Sequence, residues 1–241
     1  MGKIALVTGG TRGIGAAIAI KLKEDGCTVV SSYVGNVEKA EEFSKKTGIK
    51  TYKFDAGYFE NCQKATQEIE NDLGSNVDIL VNNAGITKDR FLHKMSPEDW
   101  TAVINTNLNS MFNVTRSVIE KMRLKKFGRI ISIGSINGLK GQVGQSNYST
   151  AKAGLIGFSK AVALENASKG ITVNVIAPGY IATEMVKKID PEILKGIVSQ
   201  IPVGRLGEPH EIASLTSYLA SDQASFITGA TFSINGGQYL Q

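Results

Sequence analysis

A chain of 241 residues with 42% hydrophobic residues, 26 glycines and 5 prolines can bury a large core, which argues against a disordered protein. Its net charge of +5 is spread along the chain, with the densest basic stretch, Lys121 to Arg129, reading as the solvated end of a helix; this suits a phosphate-bearing small ligand and argues against a nucleic-acid surface. Cys27 and Cys62 have no pairing spacing and His93 and His210 stand far apart, so the expectation is a reduced, cytoplasmic setting with no metal site.

The first strand, Ile4 to Val7, starts almost at once, leaving no room for a signal peptide, and no later apolar run approaches membrane-spanning length. It is a short apolar run of the kind buried on both faces of a parallel sheet. Thr8-Gly9-Gly10-Thr11-Arg12-Gly13-Ile14-Gly15 follows, then a helix over Ala16 to Lys23 that stops near Gly26. Strand, glycine-rich turn and helix form the setting of a dinucleotide fingerprint. Glycines at 9, 13 and 15 let the backbone approach a pyrophosphate, and the helix N-terminus offers it unpaired N–H groups. The next strand, Thr28 to Ser32, ends without an acidic residue, Glu38 being the nearest downstream. A carboxylate there would bind a ribose 2′-hydroxyl and repel a 2′-phosphate, so its absence, with Arg12 in the turn, favours NADP(H).

Helix, strand and helix continue over Val37 to Lys46, Lys50 to Phe54 and Tyr58 to Leu73. A fourth strand, Val77 to Val81, runs into Asn82-Asn83-Ala84-Gly85, small and amide-bearing residues at the strand end where a doubly wound sheet holds a nucleotide. Ser96 as N-cap, Pro97 at the first helical position and Asp99 at the third start a helix that runs toward Lys125. Asn105, Asn107 and Asn109 lie inside it. Asparagine is a poor mid-helix residue, so at least one of the three should have a structural or catalytic use.

The apolar run Ile130 to Ile133, closed by Gly134, leads into Ser135 to Lys152, which joins a buried strand to a helix. With Tyr148 in the first turn of that helix, Lys152 at i+4 shares its face, and an ammonium beside a phenol is expected to lower the phenol's pKa. Ser135 supplies a hydroxyl to the same space. The helix extends to about Ser168 and closes at Gly170; a sixth strand, Thr172 to Ile176, is broken by Ala177-Pro178-Gly179-Tyr180. Residues 181–203, polar and irregular in pattern, are expected to form a mobile lid over a substrate. A helix from Glu208 to Ala220 and a strand from Ala230 to Ile234, ending in Asn235-Gly236-Gly237, complete the chain. No repeat or linker interrupts residues 1–241. The expected fold is one α/β domain, a Rossmann-type doubly wound sheet of about seven parallel strands with helices on both faces.

Together the glycine pattern Thr8 to Gly15, Asn82-Asn83-Ala84-Gly85, Ser135, Tyr148-x-x-x-Lys152 and Pro178-Gly179 resemble the short-chain dehydrogenase/reductase family from the first strand to the last. The resemblance implies a catalytic set of Asn107, Ser135, Tyr148 and Lys152. In it Ser135 and Tyr148 hold the substrate carbonyl oxygen and Tyr148 gives up its proton as general acid. Lys152 stabilises the tyrosinate and holds the nicotinamide ribose, and Asn107 anchors a water that relays protons. The resemblance also implies NADPH/NADP as cofactor. Its contacts would be Gly9, Thr11, Arg12, Gly13, Ile14 and Gly15 in the turn, Asp55 and Ala56 past the third strand, and Asn83, Ala84 and Gly85 past the fourth. Tyr148 and Lys152, then Pro178, Gly179, Ile181 and Thr183 past the sixth strand, complete the set.

Within the family, Gly141 to Gly154, Pro178 to Val186 and Phe232 to Gly237 are most similar to the branch that reduces acetoacetyl-CoA in polyhydroxybutyrate synthesis. That implies NADPH-dependent reduction of this 3-oxoacyl thioester to (R)-3-hydroxybutyryl-CoA, with Gln142, Val143, Gln145 and Tyr180 around the acyl group. Val143 departs from the aromatic residue expected there and leaves chain length open. The branch acting on 3-oxoacyl-(acyl-carrier-protein) is the alternative, since it carries basic residues where this chain has Lys126 and Lys169. A non-catalytic dinucleotide-binding regulator is a more distant one, opposed by the intact Tyr148 and Lys152. Family analogy implies a homotetramer, with neither nucleic acid nor membrane as partner.

Overall fold

Seven short strands build the centre of the molecule, the inner ones mostly aliphatic: β1 (Ile4–Val7), β2 (Thr28–Tyr33), β3 (Lys50–Lys53), β4 (Ile79–Asn82), β5 (Gly128–Ile133), β6 (Ile171–Pro178) and β7 (Thr231–Ile234). In the computed structural model, which describes residues 2–184, 186 and 190–240, all seven pair in parallel in the order β3-β2-β1-β4-β5-β6-β7. Every residue of β1, β4, β5 and β6 is buried. The reason is that helices cover both faces. The helices are α1 (Gly13–Glu24), α2 (Val37–Thr47), α3 (Phe59–Leu73), α4 (Pro97–Ile104), α5 (Ser110–Lys125), α6 (Asn137–Lys140), α7 (Ser146–Asn166), α8 (Pro191–Ser199) and α9 (Pro209–Ala220); α3, α5 and α7 cover one face and α1, α2 and α9 the other.

Alternation along each strand sorts side chains into two apolar layers. Leu6, Leu80, Ile130 and Val173 meet Ile69 of α3, Val114 and Val118 of α5 and Val162 of α7. Ala5, Val7, Val81, Ile131 and Ile176 face the other way, onto Ile18 and Leu22 of α1, Phe43 of α2 and Ile212 and Leu219 of α9. Each fully buried aliphatic side chain contributes about 1.5–3 kcal/mol. Buried charges close the end of the sheet where the strands begin. Asp78 accepts from Ile4 N at 3.0 Å and pairs with Lys125, Glu70 pairs with Lys121, and the Arg129 guanidinium donates to the Gly128 and Gly170 carbonyls at 2.9 and 3.2 Å.

Two elements differ from the sequence reading. The helix beginning at Pro97, with Ser96 Oγ accepting from Asp99 N at 3.1 Å, does reach Lys125, but Asn105–Asn109 form a π-turn within it. The expected irregular lid over 181–203 contains α8, started by the Asp190 carboxylate, which accepts from Glu192 N and Ile193 N. Positions 185 and 187–189 of that segment lie outside the described residues. Its ends are fixed: Gly207 N donates to Tyr180 O at 2.9 Å, Ala182 N to Gly207 O at 2.8 Å and Val203 N to Gly236 O at 3.1 Å. Strand order reverses between β1 and β4, which opens a crevice at their C-terminal ends.

Candidate active site

The glycine turn is knotted to the end of β4. Thr8 Oγ1 accepts from Asn83 N at 2.9 Å and Ala84 N at 3.1 Å, and Asn83 Nδ2 donates to Thr8 O and Gly9 O at 2.9 and 3.1 Å. A Cβ on Gly15 would stand 2.4 Å from Asn83 Nδ2 and 2.5 Å from Gly9 O, so only glycine lets α1 begin this close to the strand end. Arg12 precedes α1 in extended backbone without capping it through its side chain, so first-turn N–H groups face the crevice unclaimed by a cap. Thr183 packs over Gly13, 3.5 Å from where a Cβ would sit, and Ile181 is buried beneath. Asp55 Oδ1 accepts from Gly57 N at 2.9 Å, and Ala56 O takes the Asn113 amide at 2.9 Å, so the turn after β3 is held from α5.

A cleft of about 180 Å³ at this edge gathers Ile14, Asn83, Gly85, Ser135, Tyr148, Lys152, Pro178 and Gly179 from turns separated widely in sequence. Lys152 is buried; its Nζ donates to Ile133 O at 2.7 Å and lies 5.6 Å from the centroid of the Tyr148 ring. Loss of water pulls its pKa down to about 8. The Tyr148 phenol moves opposite to the expectation from its spacing. Burial pushes its pKa up, the nearby Ser135 hydroxyl works downward, and the Asp89 carboxylate adds to the rise. The Lys152 ammonium, bonded to the Ile133 carbonyl, does not reverse that rise.

Asn107 does not line the cleft. Fully buried, it accepts from Ile86 N at 2.8 Å and donates to Ile86 O at 2.9 Å, so it backs the strap that follows Gly85. Asn105 and Asn109, one turn apart, bond each other at 2.7 Å. Of the residues expected around an acyl group, Gln142 is exposed and Val143 is 76% exposed, both at the rim. Gln145 is committed elsewhere, accepting from Asn137 Nδ2 at 3.0 Å and donating to Asp89 Oδ2 at 2.9 Å. Tyr180 lines a neighbouring cavity of about 130 Å³ together with Ile201, Val203, Arg205 and Glu211. Lys126 and Lys169 precede β5 and β6, at the far end of the sheet from the cleft.

Sequence reasoning missed Ile86 and Thr87 in the cleft wall, the Ile133 carbonyl that holds Lys152, and Gly138, where a Cβ would stand 2.6 Å from the Lys152 backbone carbonyl carbon. Any residue has a carbonyl, so nothing in the sequence marks Ile133. Gly138, between Ser135 and Tyr148 in the sequence, was the one readable signal.

A family profile described as enoyl-(acyl carrier protein) reductase matches residues 9–238. An acetoacetyl-CoA reductase of Shinella zoogloeoides is 58% identical over 241 residues, covering 100% of both chains, and one of Rhizobium meliloti is 56% identical with the same coverage. A 3-oxoacyl-(acyl-carrier-protein) reductase of Haemophilus influenzae is 47% identical over 247 residues, 99% of each chain. With the parallel sheet, the knotted glycine turn and the meeting of Ser135, Tyr148 and Lys152, these full-length matches make the chain a member of the short-chain dehydrogenase/reductase family.

Proposed function

We propose that the protein reduces 3-oxoacyl thioesters with NADPH, converting acetoacetyl-CoA to (R)-3-hydroxybutyryl-CoA. The observation that carries this reading is the convergence of Ser135, Tyr148 and Lys152 on a cleft that continues to the glycine turn through Gly85 and Ile14. The donor set there fits a dinucleotide, because the uncapped start of α1 and the glycine backbone suit a pyrophosphate and the exposed Arg12 suits a 2′-phosphate. Gly9, Thr11, Gly13, Gly15, Asp55, Ala56, Asn83 and Ala84 would hold the adenosine half, and Pro178, Gly179, Ile181, Thr183, Tyr148 and Lys152 the nicotinamide half. When bound, the nicotinamide supplies the hydride.

The chain's own residues manage the proton. A phenol whose pKa burial has raised stays protonated at neutral pH and has a proton to give as charge builds on the carbonyl oxygen. The Tyr148 O–H bond breaks, an O–H bond forms on the product, and Ser135 donates a hydrogen bond to the same oxygen. Lys152, charged below about pH 8, faces the phenol ring and stabilises the tyrosinate until its proton is replaced. Asn107, tied to Ile86, is assigned the anchoring of the water that returns that proton. A cytoplasmic setting, a homotetramer, and residues 1–241 working as one domain with 181–203 as its substrate lid belong to the same reading.

Names of relatives that are 58% and 56% identical favour coenzyme A over a carrier protein, and the remote position of Lys126 and Lys169 favours it too. The test is steady-state kinetics with acetoacetyl-CoA and with an acetoacetyl-carrier protein, each with NADPH and NADH. Higher kcat/KM for the CoA thioester and for NADPH is expected; a strong carrier-protein preference overturns the first choice, and equal use of NADH overturns the role of Arg12. Tyr148→Phe should lower kcat by about 10²–10⁴-fold with NADPH fluorescence titration nearly unchanged. Retained turnover removes Tyr148 as the acid.

A further inference from the structure

We propose that Asn147 is a positioning residue for this reduction: its buried side chain fixes the strap of residues 86–90, one wall of the cleft, against the start of the helix that carries Tyr148. The inference rests on the functional reading above for its kinetic consequence and on geometry alone for its mechanical one.

The strap has no regular secondary structure of its own. It is stitched from outside: Ile86 to Asn107 through both N–H and carbonyl, Asp89 to Gln145, and Arg90 N to Gly144 O at 2.8 Å. Lys88 is held twice: its ammonium lies 3.8 Å from Asp99 Oδ1 of α4, and its carbonyl accepts from Asn147 Nδ2 at 3.0 Å. The same Nδ2 reaches Asp99 O of α4 at 3.4 Å, and Asn147 Oδ1 accepts from Tyr148 N at 2.7 Å. That N–H belongs to the first turn of α7, where no intrahelical acceptor exists.

One fully buried amide therefore uses both donor hydrogens and its acceptor on three elements, two of which, the strap and the start of α7, line the cleft. Asn107 and Gln145 also hold the strap, but Asn147 joins it to the backbone of the tyrosine itself. A shift of the strap without this bond is a shift of Ile86 and Thr87 relative to the phenol, and both face Ser135 and Lys152 across the cleft. Misplacement by about 1 Å costs reaction rate on the order of 10²-fold while leaving binding contacts largely in place.

Two substitutions separate positioning from mere packing. Asn147→Ala removes all three bonds. Asn147→Asp keeps the shape and the acceptor for Tyr148 N, which a helix N-terminus favours, but turns a carboxylate toward two carbonyl oxygens; only the protonated acid can donate to Lys88 O. In Asn147→Ala, kcat for acetoacetyl-CoA should fall about 30–100-fold, with KM and the NADPH dissociation constant from fluorescence titration changing less than about threefold. In Asn147→Asp, the ratio of its kcat to that of the wild type should climb as pH falls from about 8 to about 6. Hydrogen exchange at the amides of residues 86–90 should be faster than wild type in Asn147→Ala, and in Asn147→Asp at about pH 8, with no substrate present. If Asn147→Ala does not fold, the Asn147→Asp measurements decide. Unchanged exchange in the strap overturns the inference whatever the enzyme reduces. A kcat within about threefold of wild type, or a pH-independent ratio, overturns it for an active enzyme. A wild-type protein inactive on both thioesters overturns the functional reading alone.

Discussion

Lys152 has a backbone carbonyl and an aromatic ring for neighbours and almost no contact with water, a poor place for a cation. Burial holds its pKa at about 8 instead of the ordinary 10.5. Below pH 8 both folded and unfolded chains carry this proton and the cost of burial is fully present. Between about 8 and 10.5 the unfolded chain binds more protons, so stability from this group rises with pH. Lys152→Met should therefore melt higher than wild type at pH 7, by about 2–4 °C for each kcal/mol relieved, and the gap should close above about pH 10 as reduction stays abolished. A lower melting temperature at pH 7 would contradict the assignment. In the wild type, kcat should decline as pH rises through about 8, where the charge facing the tyrosinate is lost. Spacing alone put Tyr148 and Lys152 on one helix face, and that was readable. The direction of the tyrosine's shift was not, because burial depends on strands and turns distant in sequence.

Helix–helix approach decides whether that lysine is aimed correctly. At Gly138, α6 comes so near α7 that an added Cβ would meet the Lys152 carbonyl carbon at 2.6 Å and its Cβ at 2.8 Å. Backbone cannot yield as a side-chain tip can, so Gly138→Ala should destabilise the fold by about 1–3 kcal/mol and lower kcat at least tenfold, about the effect of a small misplacement. Denaturant melts and kinetics check it; a variant with wild-type kcat would mean that α6 does not set the position of Lys152. Caps and periodicity made most helices readable, Ser96-Pro97 for α4 being the clearest. The π-turn at Asn105–Asn109 was not, since its sequence cue, three asparagines, acquires meaning only once Asn107 is seen gripping Ile86. The Asp190-Pro191 start of α8 was a readable cue, with Ile193, Leu194, Ile197 and Val198 following at helical spacing.

Across the whole molecule, parallel strands put every strand start at one edge and every strand end at the other. β5, with 6 residues, spans roughly 20 Å at about 3.3 Å per residue. Lys126 and Lys169 therefore stand well away from the cleft of their own chain, and Lys126→Glu with Lys169→Glu should leave kcat/KM for acetoacetyl-CoA within about twofold of wild type at moderate salt. A tenfold loss would place these lysines on the substrate's route. β1, β4, β5 and β6 were readable because strands buried on both faces are largely apolar, and the outer β3 and β7 only from their place between helices and turns, whereas the lateral order comes from crossovers that no single run encodes. The buried anchors Asp78, Glu70 and Arg129 sit at the strand-start edge, whereas the exposed positions 142 and 143 lie in the connection that follows β5, at the opposite edge. Exchanges at the exposed positions 142 and 143 should therefore cost the fold almost nothing, so this surface is free to vary while the molecule's tolerance of mutation stays nearly untouched.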